Sequence, residues 1–256
     1  GAVPAAYTQN ALTLADGATL RLNAATITLH TNRGVTLSGS SANLDSFGTA
    51  ILFIPNVIDG PGATVVKTGG GEVGFYGATN TFAKLVIGGG NLRIGTSTFP
   101  GYDQSYGAVP ATLIPDAITI SNGATNRVVG SASVVIHTNR GIYLGPGGGV
   151  IRNDIAPVTL TINSPVSGPG SFRKEGGQSM TNNGSLTHLG DTIFNAGTTT
   201  HNAPNTSPGN VIVNGNGRYI MNNVSANASY VINYGRIDAN TNYCMGGSTL
   251  YMNPTG

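Results

Sequence analysis

HTNRG stands at His30–Gly34 and again at His137–Gly141, 107 positions on. GAVPA, at Gly1–Ala5, returns at Gly107–Ala111, 106 positions on. The intervening residues also correspond. LTLADGATLRL from Leu12 answers to ITISNGATNRV from Ile118, and IDGPGATVVKTGGG from Ile58 answers to VSGPGSFRKEGG from Val166. Self-similarity at a fixed period marks a repeat array. The expected units are 1–106, 107–209 and a partial or divergent third at 210–256, opening near Asn210 as a cap or interface. All three belong to one continuous rod.

Within each unit, short runs alternate apolar and polar residues: Leu12/Leu14, Leu85/Ile87, Leu92/Ile94, Ile118/Ile120, Ile142/Leu144 and Leu160/Ile162. Alternation over three to five residues puts the apolar side chains on one face of a strand. Between the runs lie DG, NRG, GPG, GGG and NG, which favour turns. No stretch carries helical periodicity. Sandwich, propeller and solenoid all accept such strands. A solenoid coil of roughly 20 to 25 residues fits best, with about four or five coils per unit. The expected fold is all-β, a parallel β-helix (β-solenoid) of about ten to twelve coils stacked about 4.8 Å apart around an apolar interior.

Charged residues are only 9% of the chain, against 39 glycines, and the formal net charge is +2. Nucleic-acid binding rests on clustered basic residues, which are lacking. No apolar run is long enough for a membrane-spanning helix. Cys244 is alone, so no internal disulfide framework exists. The chain begins at Gly1 with no signal-peptide pattern, which suggests a processed chain or a piece of a longer one.

The segment GPGATVVKTGGGEVGFYGATNTFAKLVIGGGNLRIG, Gly60–Gly95, resembles the autotransporter-associated β-strand repeat. The matching elements are Gly60 and Gly62, Lys67–Gly69, Val73–Phe75, Gly77–Asn80 and Gly90–Leu92. The second copy keeps Gly168, Gly170 and Lys174 but has EGG for TGG. NRGIYLGPGGGVI, Asn139–Ile151, is similar to the segment that commonly precedes this repeat. The resemblance implies a right-handed parallel β-helix in secreted or surface-displayed bacterial passenger regions, usually non-catalytic. It implies no particular functional residues.

Ten carboxylates are available for chemistry, and no DxD or DD occurs. Asp154 and Glu175, 21 residues apart, would stack on adjacent coils and form the best acid/base pair, with Asp191 as third member. The competing reading is solvated turn residues. His30 and His137 read as turn-capping side chains. Asn32, Arg33 and Gly34, with Asn139, Arg140 and Gly141, read as structural turns in which glycine supplies the left-handed position and arginine reaches carbonyls of a neighbouring coil. Lys67 and Lys174 are expected on the outer face, discouraging edge pairing. The GGG runs lack the helix and GK[ST] of a phosphate loop. Tyr219, Tyr230, Tyr234, Tyr243 and Tyr251 cluster late, as an interface or as an aromatic lid on the core. The sequons at Asn183, Asn205, Asn223 and Asn227 read as coincidental in a chain this rich in Asn, Ser and Thr.

The sequence therefore points to a non-enzymatic structural segment of a bacterial extracellular or cell-surface fibre or passenger, without catalytic residues, metal or cofactor. Its expected partners are copies of itself stacked head to tail, or further repeats of a longer parent chain. One alternative is an adhesin or glycan-binding passenger, with surface glycans as partner. A second is a polysaccharide lyase or hydrolase on the same fold.

Overall fold

The alternating runs all become short strands, and each lies parallel to a strand about one coil away in sequence. Leu85 of KLVI faces Val65 on one side and Ile118 on the other. Leu92 of NLRI lies between Val73 and Asn126. A computed structural model describes residues 1–77, 79–96, 101–156, 158–227, 229–241 and 249–253. It is a parallel β-solenoid of about ten turns, with almost no helix.

Each pass around the axis has three sides, here I, II and III. The first pass is β1 (Thr8–Leu14), β2 (Thr19–Leu22) and β3 (Thr26–Thr28). Above it lie β4 (Arg33–Leu37), β5 (Ser41–Ser46) and β6 (Ile51–Ile54), then β7 (Ile58–Asp59), β8 (Thr64–Thr68) and β9 (Glu72–Phe75). In the fourth pass residues 79–82 occupy side I, followed by β10 (Lys84–Ile87) and β11 (Asn91–Ile94). In the fifth, a 3-10 turn at Asp103–Tyr106 precedes β12 (Ile114–Ile120) and β13 (Ala124–Val128). Next come β14 (Val134–Ile136), β15 (Arg140–Leu144) and β16 (Gly149–Asn153), then β17 (Leu160–Ile162), β18 (Val166–Ser167) and β19 (Phe172–Glu175). After β20 (Met180–Asn182), side II narrows to single bridges linking Leu186, Asn205 and Ser225. The long strands β21 (Thr192–His201) and β22 (Val211–Met221) each run over a corner from side III to side I. The stack ends on β23 (Ser229–Asn233), β24 (Arg236–Ala239) and β25 (Thr249–Asn253).

The stacking reveals how the sequence repeat relates to the coil. β1 pairs with β4 on side I, whereas its sequence counterpart β12 pairs with β10 and β15 on side II. Eleven strands, residues 79–82 and the 3-10 turn lie from β1 up to β12. One repeat therefore spans thirteen sides, or four and one third turns. β22, opening the third copy, begins on side III. Each copy is thus turned by one side relative to the last. The sides stay continuous across the non-strand passes: Thr81 donates to the Ile58 carbonyl (3.1 Å), Ala108 to that of Phe82 (2.9 Å), and the His137 amide to Asp103 Oδ1 (3.0 Å).

Inward residues build columns of aliphatic side chains along the axis, and the core is one cluster from Leu14 to Tyr230. Two expectations need correction here. Lys67 and Lys174 are not outward. Register puts Lys67 between Leu44 and Ile87, and Lys174 between Ile151 and Phe194, all inward-facing. Each aliphatic stem lies in the core while the ammonium reaches turn carbonyls. Lys67 Nζ donates to the carbonyls of Thr68 (2.7 Å), Gly69 (2.9 Å) and Gly89 (2.9 Å). Lys174 does the same with Glu175, Gly176 and Ala196. Burial is the main cause that lowers both amines to about 8, against the pull of nearby carboxylates.

The interior is also not apolar throughout. The side II step falls from 24 residues, Ile142 to Val166, to 19 between Leu186 and Asn205. This narrower section buries His188, His201, Asn205, Ser207, Ser225 and Asn227. Buried polar groups need partners. His188 bonds Thr192 Oγ1 (3.0 Å) and Ser207 Oγ (3.2 Å), and the Asn227 amide donates to the Ser207 carbonyl (2.9 Å).

Candidate functional site

The two repeated words lie on each other. In both copies the HTNRG turn sits one coil from GAVPA and binds its backbone. Asn139 Nδ2 donates to the Pro110 carbonyl (2.9 Å), and Asn32 Nδ2 to that of Pro4 (2.8 Å). Arg140 donates to the carbonyls of Tyr106, Gly107 and Ala108, and Arg33 to those of Gly1 and Ala2. His30 and His137 cap the turns, their Nδ1 atoms accepting from the amides of Asn32 (3.0 Å) and Asn139 (3.1 Å). The two joints differ in depth. Arg140 is fully buried and also pairs with Asp103 (3.1 Å), whereas Arg33 is reached by solvent. Gly34 and Gly141 do not supply the left-handed position expected of them, and both belong to strands. They are needed for close approach: an added Cβ would lie 2.5 Å from the Gln9 or the Pro115 carbonyl oxygen.

Every carboxylate is tied to an adjacent coil. Asp45 pairs with Arg21, Asp116 with Lys84, and Asp238 with Arg218. Asp16 accepts from Ser40 and the Ser41 amide, and Asp59 from Thr81. On side III, Glu72 is shared by Arg93 and Arg127, and Asp154 by Arg127 and Arg152. The pair singled out for acid/base work thus meets through a cation. Arg152 lies 2.8 Å from Asp154 and 4.0 Å from Glu175. Burial would raise the Asp154 carboxyl, but hydrogen bonds from Arg152 and Arg127 outweigh it and hold the group below its usual range. Asp191 stands apart from them. It precedes Thr192, which faces Phe172 at the start of β19, whereas Glu175 closes that strand; its Oδ1 accepts from the Asn210 amide (2.8 Å).

The late tyrosines divide. Tyr219 and Tyr230 are fully buried and cannot line a surface. Tyr219 stacks on Phe194 (4.4 Å between ring centres) and bonds His201 Nδ1 (2.8 Å). Inward register at β22 and β23, invisible to composition, places both rings in the core. Tyr234 and Tyr251 are exposed, and Tyr243, like Cys244, lies outside the described residues. Of the sequon asparagines, Asn205 and Asn227 are buried.

The abundance of Asn, Thr and Ser suits ladders stacked on successive coils, and the structure places such ladders on side I. On side I, outside β17, β20 and the end of β21, Thr161, Thr181 and Thr200 fall in register. Two residues before each of these come Thr159, Ser179 and Thr198. Two residues later runs an asparagine ladder: Asn183 Nδ2 donates to Asn163 Oδ1 (2.8 Å), Asn202 to Asn183 (2.8 Å), Asn222 to Asn202 (2.7 Å) and Asn240 to Asn222 (2.8 Å). A spacing of 18 to 20 between asparagines was its legible signal.

No protein-family model, curated protein or solved structure matches the chain. Among the described residues, no group of three or more His, Cys, Asp or Glu side chains could hold a metal ion, and no helix is long and apolar enough to cross a membrane.

Proposed function

We propose that this chain is a non-enzymatic structural segment of an extracellular or cell-surface bacterial fibre or passenger, of the kind built from autotransporter-associated β-strand repeats. One observation carries the reading: all ten carboxylates are engaged in holding one coil to the next, so the side chains that would serve catalysis serve stacking. The resemblance of Gly60–Gly95 to the repeat, the low charge and the repeated joints support it. In the described structure β1, β2 and β3 each pair on one edge only, as do β24 and β25. Unpaired parallel edges are templates for further coils, and contacts of that kind that do not close give filaments. The test is negative-stain microscopy of the purified chain across a concentration series. Rods that lengthen end to end are expected, and compact particles at every concentration would overturn head-to-tail stacking.

A further inference from the structure

The chain carries twelve lysines and arginines. Eight of them pair with a carboxylate. Arg33, Lys67 and Lys174 are held by backbone carbonyls. Arg173 is what remains: it points outward from β19, is exposed, and has no hydrogen-bond or ion-pair partner among the described residues. The carboxylates beside it are already engaged, Glu175 with Arg152 (4.0 Å) and Asp191 with the Asn210 amide (2.8 Å). Arg173 borders a hollow of about 240 Å³, open to solvent, at the corner where side II turns into side III. Turns of three successive coils line it, with Gly123 from the fifth, Gly147 and Gly149 from the sixth and Ser171 from the seventh. The glycines leave this wall without side chains, so a bound group can come close to the backbone. Two further donors stand here. Ser171 Oγ accepts from the Asp191 amide (3.1 Å), and its own hydrogen has no acceptor among the described residues. The Gly147 amide donates to no backbone carbonyl among them.

We propose that this corner binds one tetrahedral oxyanion of the sulfate or phosphate class, free or as an ester on a polymer. Arg173 supplies the charge and the paired N–H donors, and the Ser171 hydroxyl and Gly147 amide supply further bonds. The donors stand on two coils, which suits a tetrahedral anion, whereas the guanidinium fork alone satisfies a planar carboxylate. An exposed guanidinium is screened by salt, so binding is weak and falls as ionic strength rises. The inference does not rest on the scaffold reading: a chain that ignores oxyanions would still stack.

The test is an NMR titration of the full chain with sodium sulfate, sodium phosphate, sodium acetate and sodium chloride, all at one total ionic strength. Sulfate and phosphate should give saturable shifts at the Gly147 and Ser171 amides and at Arg173 Nε, and chloride none. Arg173→Gln should weaken sulfate binding by about tenfold or more, because it removes a charge-assisted hydrogen bond. Arg21→Gln, at an exposed arginine paired with Asp45, should bind as the parent does. Circular dichroism melts show whether each variant is folded. Dextran sulfate and plain dextran distinguish the sources: shifts of the same resonances with the sulfated polymer alone assign an ester, and shifts with inorganic sulfate but neither polymer assign the free ion. Shifts that never saturate overturn the proposal. So does equal binding by the parent and Arg173→Gln, or acetate binding as tightly as sulfate.

Discussion

Asn139 and Pro110 are joined across neighbouring coils by a hydrogen bond of 2.9 Å, and Asn32 and Pro4 repeat it at 2.8 Å. The two most faithfully repeated words of the chain are therefore the two halves of one joint. Neither can drift without losing the carbonyl or the amide that answers it, which is a physical reason for their being the best-matched parts of the repeat.

The joint is deep in the second copy and shallow in the first. Arg140 is fully buried with a carboxylate and three carbonyls as partners, so Arg140→Ala should cost about 3–5 kcal/mol, the range for breaking a buried pair. Arg33→Ala, at the exposed joint, should cost under about 1 kcal/mol. Chemical denaturation of the two variants measures the difference, and equal losses would contradict the depth argument.

Acid should loosen the narrow section first. Burial lowers His188 and His201 to about 4, whereas unfolded histidine titrates near 6.5. Between those values the unfolded chain binds more protons, so stability is full above about pH 6.5 and falls as pH drops towards 4. The loss approaches roughly 3 kcal/mol per histidine. Hydrogen exchange at pH 7 and pH 4.5 should show protection lost in residues 184–230 before residues 33–95. Uniform loss would sink the assignment.

Coil spacing is guarded by glycines. A Cβ at Gly184 would sit 1.7 Å from the Ser164 carbonyl oxygen, whereas one at Gly177 meets nothing within 4 Å. Gly184→Ala should destabilise by about 3 kcal/mol or more. Gly177→Ala should be neutral or better by a few tenths of a kcal/mol. Thermal melts of the pair decide it.

The lysine cages predict an unusual cost for a conservative change. Lys67→Met keeps the buried stem but leaves three carbonyls without their ammonium, for a loss of about 1–3 kcal/mol. Lys174→Met should match it, because its cage is equivalent. A neutral result in urea unfolding would mean that water replaces the ammonium in both.

Alternation in KLVI and NLRI was enough to read strands, because pleating alone places every second side chain on one face. The spacing of HTNRG and GAVPA was enough to read a stacked array. Alternation says nothing of what lies opposite. Lys67 keeps the same alternation as Leu44 and Ile87, yet whether an ammonium can sit inward depends on turn carbonyls supplied by the next coil. Likewise, the sequence leaves Tyr219 and Tyr230 open between an interface and the core until β22 and β23 are in register.

Local pattern therefore decided the strands, since alternation depends on a few consecutive residues, and the long-period repeat of HTNRG and GAVPA decided the stacked array. Three-dimensional packing decided the one-side rotation between copies, the polar section around His188 and His201, and the Thr and Asn columns of side I. Those depend on accumulated coil lengths and on contacts between residues about twenty apart, where one residue more or less moves a side chain to another column or from the surface to the core.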